Sequence, residues 1–142
     1  MVSKSISKIT TGCNISDVHG DLWKKINGIS YDSRRTRPGD LFVALPGIHT
    51  DGKNFIHQAV EAGASAVLYQ GEPPQFLPGI TYLQTDNTRR EMSKISAALF
   101  DHPGEKLELI GVTGTDGKSS TVSFIHQLLT SLGQPAGYLS TV

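Results

Sequence analysis

The segment that most constrains the fold lies at residues 107–133, where an apolar run, a glycine-rich turn and an amphipathic stretch follow one another. Residues 107–113 predict a buried strand. After the turn, apolar side chains recur at helical spacing and predict a helix that ends at Gly133; they are Val122, Ile125, Leu129 and Leu132. A strand that enters a helix through a tight turn is typical of parallel sheets covered by helices. The segment therefore predicts an α/β fold, with a further strand beginning at residues 136–139.

The residues before this segment repeat the alternation of strands and helices. Strands are predicted from residue 28 into a polar loop and at residues 41–45, 66–69 and 80–83, and helices at residues 54–62 and after a cap at residues 86–88. The first 28 residues or so carry only scattered apolar side chains, and they predict a short irregular or partly helical lead-in. Together these elements predict a small N-terminal α/β domain.

A linker is predicted at residues 101–105, because their proline and glycine end the preceding helix before the next apolar run begins. We therefore divide the chain into a domain at residues 1–105 and a second domain that starts at residue 106. Residues 106–142 hold barely one β-α-β unit, and a parallel sheet needs several such units to bury its faces. We expect this second domain to be incomplete, the first β-α-β unit of a truncated P-loop ATPase domain.

The overall charge provides no general attraction for anions, so an anion can bind only where a local site supplies positive charge or hydrogen-bond donors. Lys and Arg number 13, as do Asp and Glu, so the formal net charge is zero and we expect no nucleic-acid partner. No stretch approaches the ~18–20 apolar residues that span a bilayer, and the N-terminus lacks the apolar core of a secretion signal. We therefore expect a cytoplasmic protein with no membrane partner.

Side chains that bind metals or take part in redox chemistry are sparse. Cys13 is the single cysteine, which excludes an intrachain disulfide and a multi-cysteine metal site. Nothing near it in sequence suggests an activating base, so we expect an inert thiol. The five histidines lack the paired helical spacing of metal ligands.

Residues 111–121, Gly-Val-Thr-Gly-Thr-Asp-Gly-Lys-Ser-Ser-Thr, carry the clearest chemical signal. A glycine-rich turn at the start of a helix points successive backbone N–H groups inward, where they can hold a triphosphate such as that of ATP. Lys118 would reach the terminal phosphates, and the Ser119 hydroxyl would bind Mg²⁺. The general P-loop pattern requires glycine where this chain has Val112, so a glycine turn with a chance lysine is the alternative interpretation.

A second group of polar residues lies at positions 32–35 and 48–52, in two predicted loops that flank one buried strand. Their hydroxyl, imidazole and guanidinium groups could donate hydrogen bonds to a uracil, a ribose or a diphosphate. Helix capping, turn formation and solvated charge would explain the same residues. Composition alone favours this second explanation.

Taken in order, four segments resemble the N-terminal part of the Mur ligases, ATP-dependent enzymes that form the amide bonds of the bacterial peptidoglycan stem. They are Asp32-Ser33-Arg34, residues 38–47 (Pro-Gly-Asp-Leu-Phe-Val-Ala-Leu-Pro-Gly), Asp51-Gly52 and residues 111–121. The resemblance extends over residues 29–142. The phosphate loop of the family has glycines where the general P-loop pattern fails in this chain.

The resemblance implies an N-terminal domain that holds the uridine diphosphate end of the substrate, a central ATPase domain and a C-terminal domain that supplies an amino acid. The positions that would contact UDP are Tyr31, Ser33, Ile48, His49 and Thr50. Those that would contact ATP are Gly114, Thr115, Asp116, Gly117, Lys118, Ser119 and Ser120. In this family the γ-phosphate passes to a substrate carboxylate, and the amine of the amino acid attacks the acyl phosphate. Lys118 is the expected catalytic residue and Ser119 the expected Mg²⁺ ligand.

Residues 48–52 and 111–115 most resemble members that add the third stem residue, a diamino acid, to UDP-N-acetylmuramoyl-L-alanyl-D-glutamate. Members that add D-alanyl-D-alanine share much of the pattern. A uridine-nucleotide-binding module without catalysis and a small P-loop kinase are further alternatives. We expect a monomer with the UDP-sugar dipeptide and an amino acid as substrates, and no ligation by these 142 residues alone.

Two positions depart from the family pattern. Asp116 replaces the usual asparagine, and a carboxylate beside the phosphates would lower the affinity for ATP unless it faces the metal or solvent. Ser119 and Ser120 replace threonines, and serine keeps the hydroxyl that Mg²⁺ needs.

Overall fold

A computed structural model describes residues 2–47 and 50–140 and divides into two compact units, Met1–Lys106 and Leu107–Val142. The predicted linker lies at the end of the first unit. There Asp101 and His102 both adopt left-handed backbone conformations, with φ of 59° and 51°, which is how many helices end. The functions that we assign to the two parts remain predictions.

The first unit contains short strands, short α-helices and single turns of 3₁₀-helix. Its described strands are β1 (Lys4–Ser5), β2 (Asp17–His19), β3 (Lys25–Ile26), β4 (Gly28–Ser30), β5 (Asp40–Val43), β6 (Ala66–Tyr69) and β7 (Thr81–Gln84). Its α-helices are α1 (Ile6–Ile9), α2 (Ile56–Glu61) and α3 (Thr88–Leu99), and its 3₁₀-helices are Ser33–Arg35, Gly52–Phe55 and Pro103–Lys106. The α/β class predicted from the sequence is confirmed.

Five strands form the main sheet, in the order β2-β7-β6-β5-β4. Strands β4, β5, β6 and β7 are parallel to one another, whereas β2 pairs antiparallel with β7. A separate antiparallel pair joins β1 to β3. All residues of β5 and β6 are buried, because α-helices cover both faces of the sheet and leave no solvated side.

Alternate residues of each strand face opposite sides of the sheet and form two cores. One contains Leu41, Val43, Leu68 and Leu83 with α1 and α3, through Ile6, Ile9, Ile95 and Leu99. The other contains Phe42, Ala44, Val67, Tyr69 and Tyr82 with α2, through Ile56 and Ala59. This period of two is the geometry expected of strands buried on both faces.

The lead-in and the second helix differ from the sequence predictions. Helix α1 agrees with the partly helical lead-in expected for the first 28 residues, but these residues also supply the edge strand β2 and the antiparallel pair of β1 and β3, which were not predicted. Four residues are too few to show helical periodicity, and all three residues of β2 are exposed, so neither element leaves a pattern in the sequence. The helix predicted at 54–62 starts as the 3₁₀-helix Gly52–Phe55, because the Asp51 side chain accepts a hydrogen bond from Lys53 N.

The second unit contains helix α4 (Lys118–Ser131). The strands predicted at residues 107–113 and 136–139 are not formed, and no strand occurs among residues 107–140. A strand exists only where a neighbour accepts and donates its backbone hydrogen bonds, and the described part of this unit offers no such neighbour. Across residues 2–47 and 50–140, no helix is both long and apolar enough to cross a membrane.

Candidate functional site

The two polar loops predicted from the sequence leave the same edge of the main sheet. Tyr31 follows β4 directly, and residues 44–50 follow β5, its parallel neighbour, with Ser30 opposite Phe42. Because parallel strands end at a common edge, the two loops lie beside each other. We call this the carboxyl edge, and open α/β sheets bind their ligands there.

Among the predicted UDP-contacting residues that the structure describes, Ser33 is the most enclosed, with 6% of its surface exposed. It begins the 3₁₀-helix Ser33–Arg35, which is capped by the Asp32 side chain accepting from Arg34 N at 3.1 Å. Its hydroxyl donates to Gln58 Oε1, 2.7 Å away on α2. Gln58 is a residue that the sequence analysis missed, because an exposed glutamine on a helix carries no signal.

The other predicted UDP-contacting residues are more open. Tyr31 is 67% exposed at the end of β4, and Thr50 is exposed in the loop after β5. Ile48 and His49 lie outside the residues that the structure describes. The carboxyl edge thus brings together Tyr31, Ser33 and Thr50 on two adjacent loops.

The loop after β5 closes on its own ends. Gly52 N donates to Leu45 O at 2.9 Å, and a Cβ on Gly52 would lie 2.6 Å from both Leu45 N and Leu45 O. Such contacts are too short for any side chain, so this position requires glycine. The Asp51-Gly52 pair therefore fixes where the loop ends and where the next helix begins.

Arg34 is less available to a ligand than its sequence position predicts. Its Nε and Nη2 donate to the two carboxylate oxygens of Asp32, at 2.9 and 2.8 Å. Hydrogen bonds from the Arg34 side chain and backbone N–H lower the pKa of Asp32 to about 2. Asp32 therefore stays ionised and paired with Arg34 at neutral pH.

Arg89 supplies a positive charge that the sequence analysis missed. It is exposed in the first turn of α3, and its Nη2 donates to Pro46 O in the loop after β5, at 3.2 Å. The start of α3 is fixed because Thr88 N and Thr88 Oγ1 both donate to Gln70 Oε1, at 3.0 and 2.9 Å. The predicted sheet could have revealed Arg89, since it follows β7 at the same edge as Tyr31.

Lys53 adds a second cation near this loop. Its Nζ lies 3.9 Å from Asp51 Oδ2 and 3.5 Å from Glu72 O. These contacts are long, so the ammonium group remains able to bind another anion. Arg89 and Lys53 together make the neighbourhood of the β5 loop suitable for a diphosphate.

A separate groove of about 390 Å³ lies at the opposite edge of the sheet, beside the start of β7. The His19 and Phe76 rings stack there with centroids 4.3 Å apart. Its polar groups bind one another: Thr81 Oγ1 donates to Asp21 O at 3.0 Å, and Lys24 Nζ donates to Gly79 O. None of the predicted site residues lines this groove.

Cys13 is not suited to nucleophilic catalysis. Burial, together with the charge of the nearby Glu91 carboxylate and a hydrogen bond to it, raises the pKa of the thiol to about 11. The thiolate is the reactive form, so the thiol is unreactive at neutral pH. This agrees with the inert thiol predicted from the sequence.

The glycine turn of the second unit leads into α4 as predicted. Gly114 and Gly117 have φ of 154° and 74°, and Gly117 caps α4 without a side-chain hydrogen bond. A Cβ on Gly117 would meet nothing within 4 Å, so backbone conformation alone favours glycine there. The first N–H groups of α4 have no partner within the helix and can bind an anion.

Lys118 folds back over this turn. Its Nζ donates to Gly114 O at 2.6 Å and to Thr115 O at 3.0 Å. The ammonium group therefore lies at the turn itself, beside the helix N-terminus. A phosphate bound by the backbone N–H groups would meet this positive charge.

Ser119 faces a groove of about 350 Å³ in the second unit. The groove is lined by Ser119, Ser120, Ser123, Phe124, Tyr138 and Ser140. Ser119 Oγ lies 2.8 Å from Ser140 Oγ. A hydroxyl is a hard oxygen ligand of the kind that Mg²⁺ accepts, with phosphate and water oxygens completing the shell. No group of three or more His, Cys, Asp or Glu residues in the described parts of the chain could hold a metal without them.

Comparison with known proteins finds similarity to Mur ligases, both with a family model and with individual relatives. A family model described as Mur ligase family, catalytic domain, matches residues 25–100. The chain is 44% identical over 152 aligned positions to the UDP-N-acetylmuramyl-tripeptide synthetase of Treponema denticola, covering 99% of the chain and 29% of that protein. It is 35% identical to the UDP-N-acetylmuramoyl-L-alanyl-D-glutamate--2,6-diaminopimelate ligase of Phocaeicola vulgatus, covering 96% and 28%. The chain thus spans under a third of the length of these curated relatives.

Solved structures show the same similarity. The UDP-N-acetylmuramoylalanyl-D-glutamyl-2,6-diaminopimelate--D-alanyl-D-alanyl ligase of Acinetobacter baumannii matches with a TM-score of 0.70 and 25% identity, covering 92% of this chain and 28% of that one. A ligase of Thermotoga maritima, solved in complex with ADP, matches with a TM-score of 0.56 and 25% identity, covering 74% and 23%. The residues that match the family model include both carboxyl-edge loops.

Proposed function

The chain belongs to the Mur ligase family, and we propose that it is the N-terminal part of a ligase that adds a diamino acid to UDP-N-acetylmuramoyl-L-alanyl-D-glutamate. The first unit would hold the UDP end of this substrate, and the second would begin the ATP-binding domain. The whole enzyme would act in the cytoplasm as a monomer during peptidoglycan synthesis. The observation that carries the ligase assignment is the turn at Gly114–Lys118, where an ammonium group and a helix N-terminus converge.

We assign the two parts of UDP to different parts of the carboxyl edge. Tyr31 is an exposed aromatic ring and Ser33 a nearly buried neutral hydroxyl, and both suit a base. The cations Arg89 and Lys53 near the β5 loop suit the diphosphate. We propose that Thr50, Ile48 and His49 also contact the nucleotide.

In the second unit we assign ATP to residues Gly114 to Ser120. The backbone N–H groups at the start of α4 would bind the phosphates, and Lys118 would stabilise the charge that develops on the transferred γ-phosphate. Mg²⁺, held by Ser119, would neutralise charge on the phosphate oxygens. The D-glutamyl carboxylate would attack the γ-phosphorus and release ADP, and the amine of the amino acid would then displace phosphate from the acyl phosphate.

The D-alanyl-D-alanine-adding reaction is the second candidate, because the chain resembles such an enzyme in structure. That similarity has 25% sequence identity. The relatives that are 44% and 35% identical are named for the tripeptide and for the diaminopimelate-adding reaction. This difference in identity favours addition of the third residue.

The proposal is tested with Lys118→Ala in the complete ligase. We expect turnover to be abolished while the UDP-sugar dipeptide still binds, because Lys118 belongs to the ATP turn. Lys25→Ala, which changes an exposed lysine of β3, is the control and should leave turnover unchanged. Ligation by Lys118→Ala near the wild-type rate would exclude Lys118 from the mechanism.

The alternative of a binding module without catalysis has its own test. The 142-residue chain, given ATP, the UDP-sugar dipeptide and a diamino acid, should release no phosphate. Phosphate release by this chain would show that the proposed assignment of substrate binding and catalysis to separate domains is wrong. If the full-length protein bound UDP but formed no amide bond, this result would support the binding-module alternative.

A further inference from the structure

The hydrogen bond between Ser33 and Gln58 determines how Ser33 can meet a ligand. A serine hydroxyl has one proton to donate and lone pairs that can accept. In this structure the proton is directed to Gln58 Oε1, 2.7 Å away. With its proton occupied, Ser33 Oγ can offer a ligand only its lone pairs, so it acts as an acceptor.

The surroundings of Ser33 favour a neutral donor on the ligand over a charged one. Ser33 is 6% exposed and adjoins the loop that carries the exposed ring of Tyr31. The nearest arginine, Arg34, is already paired with Asp32. An N–H group of a base fits these surroundings, whereas phosphate oxygens are acceptors and would repel the lone pairs of Ser33.

We infer that Gln58 is a positioning residue that fixes the Ser33 hydroxyl as an acceptor and thereby selects a base with a ring N–H, such as uracil, over one without it, such as cytosine. This inference rests on the proposed UDP site. Uracil N3 carries a hydrogen, whereas cytosine N3 is an acceptor. A cytosine placed against Ser33 would set two lone pairs against each other and leave a buried group without a partner.

The helix that carries Gln58 is fixed by the core. Ile56 and Ala59 of α2 are buried, with 4% and 0% of their surfaces exposed. Gln58 itself is exposed, so its substitution removes no core packing. Variants at this position should therefore fold, and their effects can be read as effects on Ser33.

The test measures binding of UDP, CDP and N3-methyl-UDP to the 142-residue chain by titration calorimetry. Wild-type chain should bind UDP about tenfold to a hundredfold more tightly than either analogue, which is the range for one unmatched buried hydrogen bond. Equal affinity for all three would overturn the inference while leaving the UDP site in place. No binding of any of them at millimolar concentration would overturn the proposed site as well.

Two substitutions separate positioning from simple structural support. Gln58→Leu removes the acceptor, so the Ser33 hydroxyl can rotate and donate, and the preference for UDP over CDP should fall to about threefold or less. Gln58→Glu replaces the amide oxygen by a carboxylate oxygen, which still accepts the Ser33 proton, and should retain the wild-type preference. Gln127→Leu is the matched control, since Gln127 also contacts a serine, with Nε2 3.4 Å from Ser123 Oγ.

Two results with these variants would contradict the inference. If Gln58→Leu weakened UDP and CDP equally, Gln58 would only support the fold. If Gln58→Glu lost as much preference as Gln58→Leu, the glutamine would act through its N–H₂ group and Ser33 would be a donor. Circular dichroism of each variant confirms that the helices are retained.

Discussion

The two units hold their candidate sites by different means. In the first, Tyr31 and Ser33 lie on the loop that follows the edge strand β4, which pairs with the fully buried strand β5, so packing of the core helps to set their positions. In the second, α4 buries none of its side chains, and Leu109 and Leu139 are 81% and 97% exposed. The glycine turn there is shaped by local backbone conformation and by the hydrogen bonds from Lys118 to Gly114 O and Thr115 O. Binding at the carboxyl edge should therefore depend on the core, whereas the turn should depend on single residues.

The largest effect is expected from truncating matched leucines in the two units. Leu68 is fully buried, whereas Leu128 on α4 is 60% exposed. Leu68→Ala should lower the free energy of unfolding by about 2–5 kcal/mol, through lost burial and a new cavity. Leu128→Ala should change it by less than about 0.5 kcal/mol. Urea denaturation followed by circular dichroism measures both, and equal losses would show that α4 is packed as firmly as the sheet.

Glu91 provides a smaller, pH-dependent effect in the first unit. It is fully buried, and it accepts hydrogen bonds from Arg90 Nε at 2.8 Å, Asn14 N at 3.1 Å and Lys94 Nζ at 3.2 Å. Burial raises the pKa of this carboxyl, but these hydrogen bonds outweigh it and lower the pKa to about 2. Because the pKa is lower in the folded chain, the stabilisation is complete above about 4.5 and is lost as the pH falls toward 2.

We therefore predict that Glu91→Gln lowers the free energy of unfolding by about 1–2 kcal/mol at pH 7, because hydrogen bonds to a charged group are stronger. The difference from wild type should shrink as the pH falls from 4.5 toward 2. Glu108→Gln, at an exposed position in the second unit, is the control and should have no such effect. A difference that is constant with pH would show that the Glu91 charge does not stabilise the fold.

Two glycines distinguish steric from conformational requirements. A side chain at Gly52 would overlap the backbone of Leu45, whereas at Gly117 only the left-handed conformation opposes one. Gly52→Ala should cost about 1–3 kcal/mol of global stability. Gly117→Ala should cost about 1 kcal/mol, confined to the first turn of α4. Hydrogen exchange of backbone amides distinguishes the two effects. If Gly52→Ala reduced the protection of β5 amides less than that of α4 amides, this explanation would be contradicted.

The difference between local and long-range contacts also explains which elements the sequence could predict. The apolar runs of β5 and β6 and a helix cap within residues 86–88 were predictable because each leaves a local pattern, and the structure places the cap at Asn87. The helix α1 and the strand β2 left none, since their positions depend on contacts with α3 and β7 that are distant in sequence. The strands expected beside α4 required pairing partners, and an apolar run alone does not supply them.

The candidate site was predictable to a similar extent. Loop residues with a recognisable pattern, such as Ser33 and Lys118, were identified, and the structure places them at a sheet edge and a helix N-terminus. Gln58 was missed because its relevance comes from its contact with the Ser33 hydroxyl, whereas Arg89 could have been recognised from its position after β7 at the same edge of the sheet. The pairing of Arg34 with Asp32 fits the capping and solvated-charge explanation that composition favoured for residues 32–35.

The central claim is that the first unit binds the UDP end of the substrate at its carboxyl edge through Ser33. Titration calorimetry of the 142-residue chain with UDP tests it most directly, with Ser33→Ala as the variant and Ser93→Ala, a change on the exposed part of α3, as the control. We predict binding by wild type and by Ser93→Ala, and an affinity about tenfold lower for Ser33→Ala. Absence of wild-type binding at millimolar UDP, or unchanged affinity in Ser33→Ala, would contradict the claim.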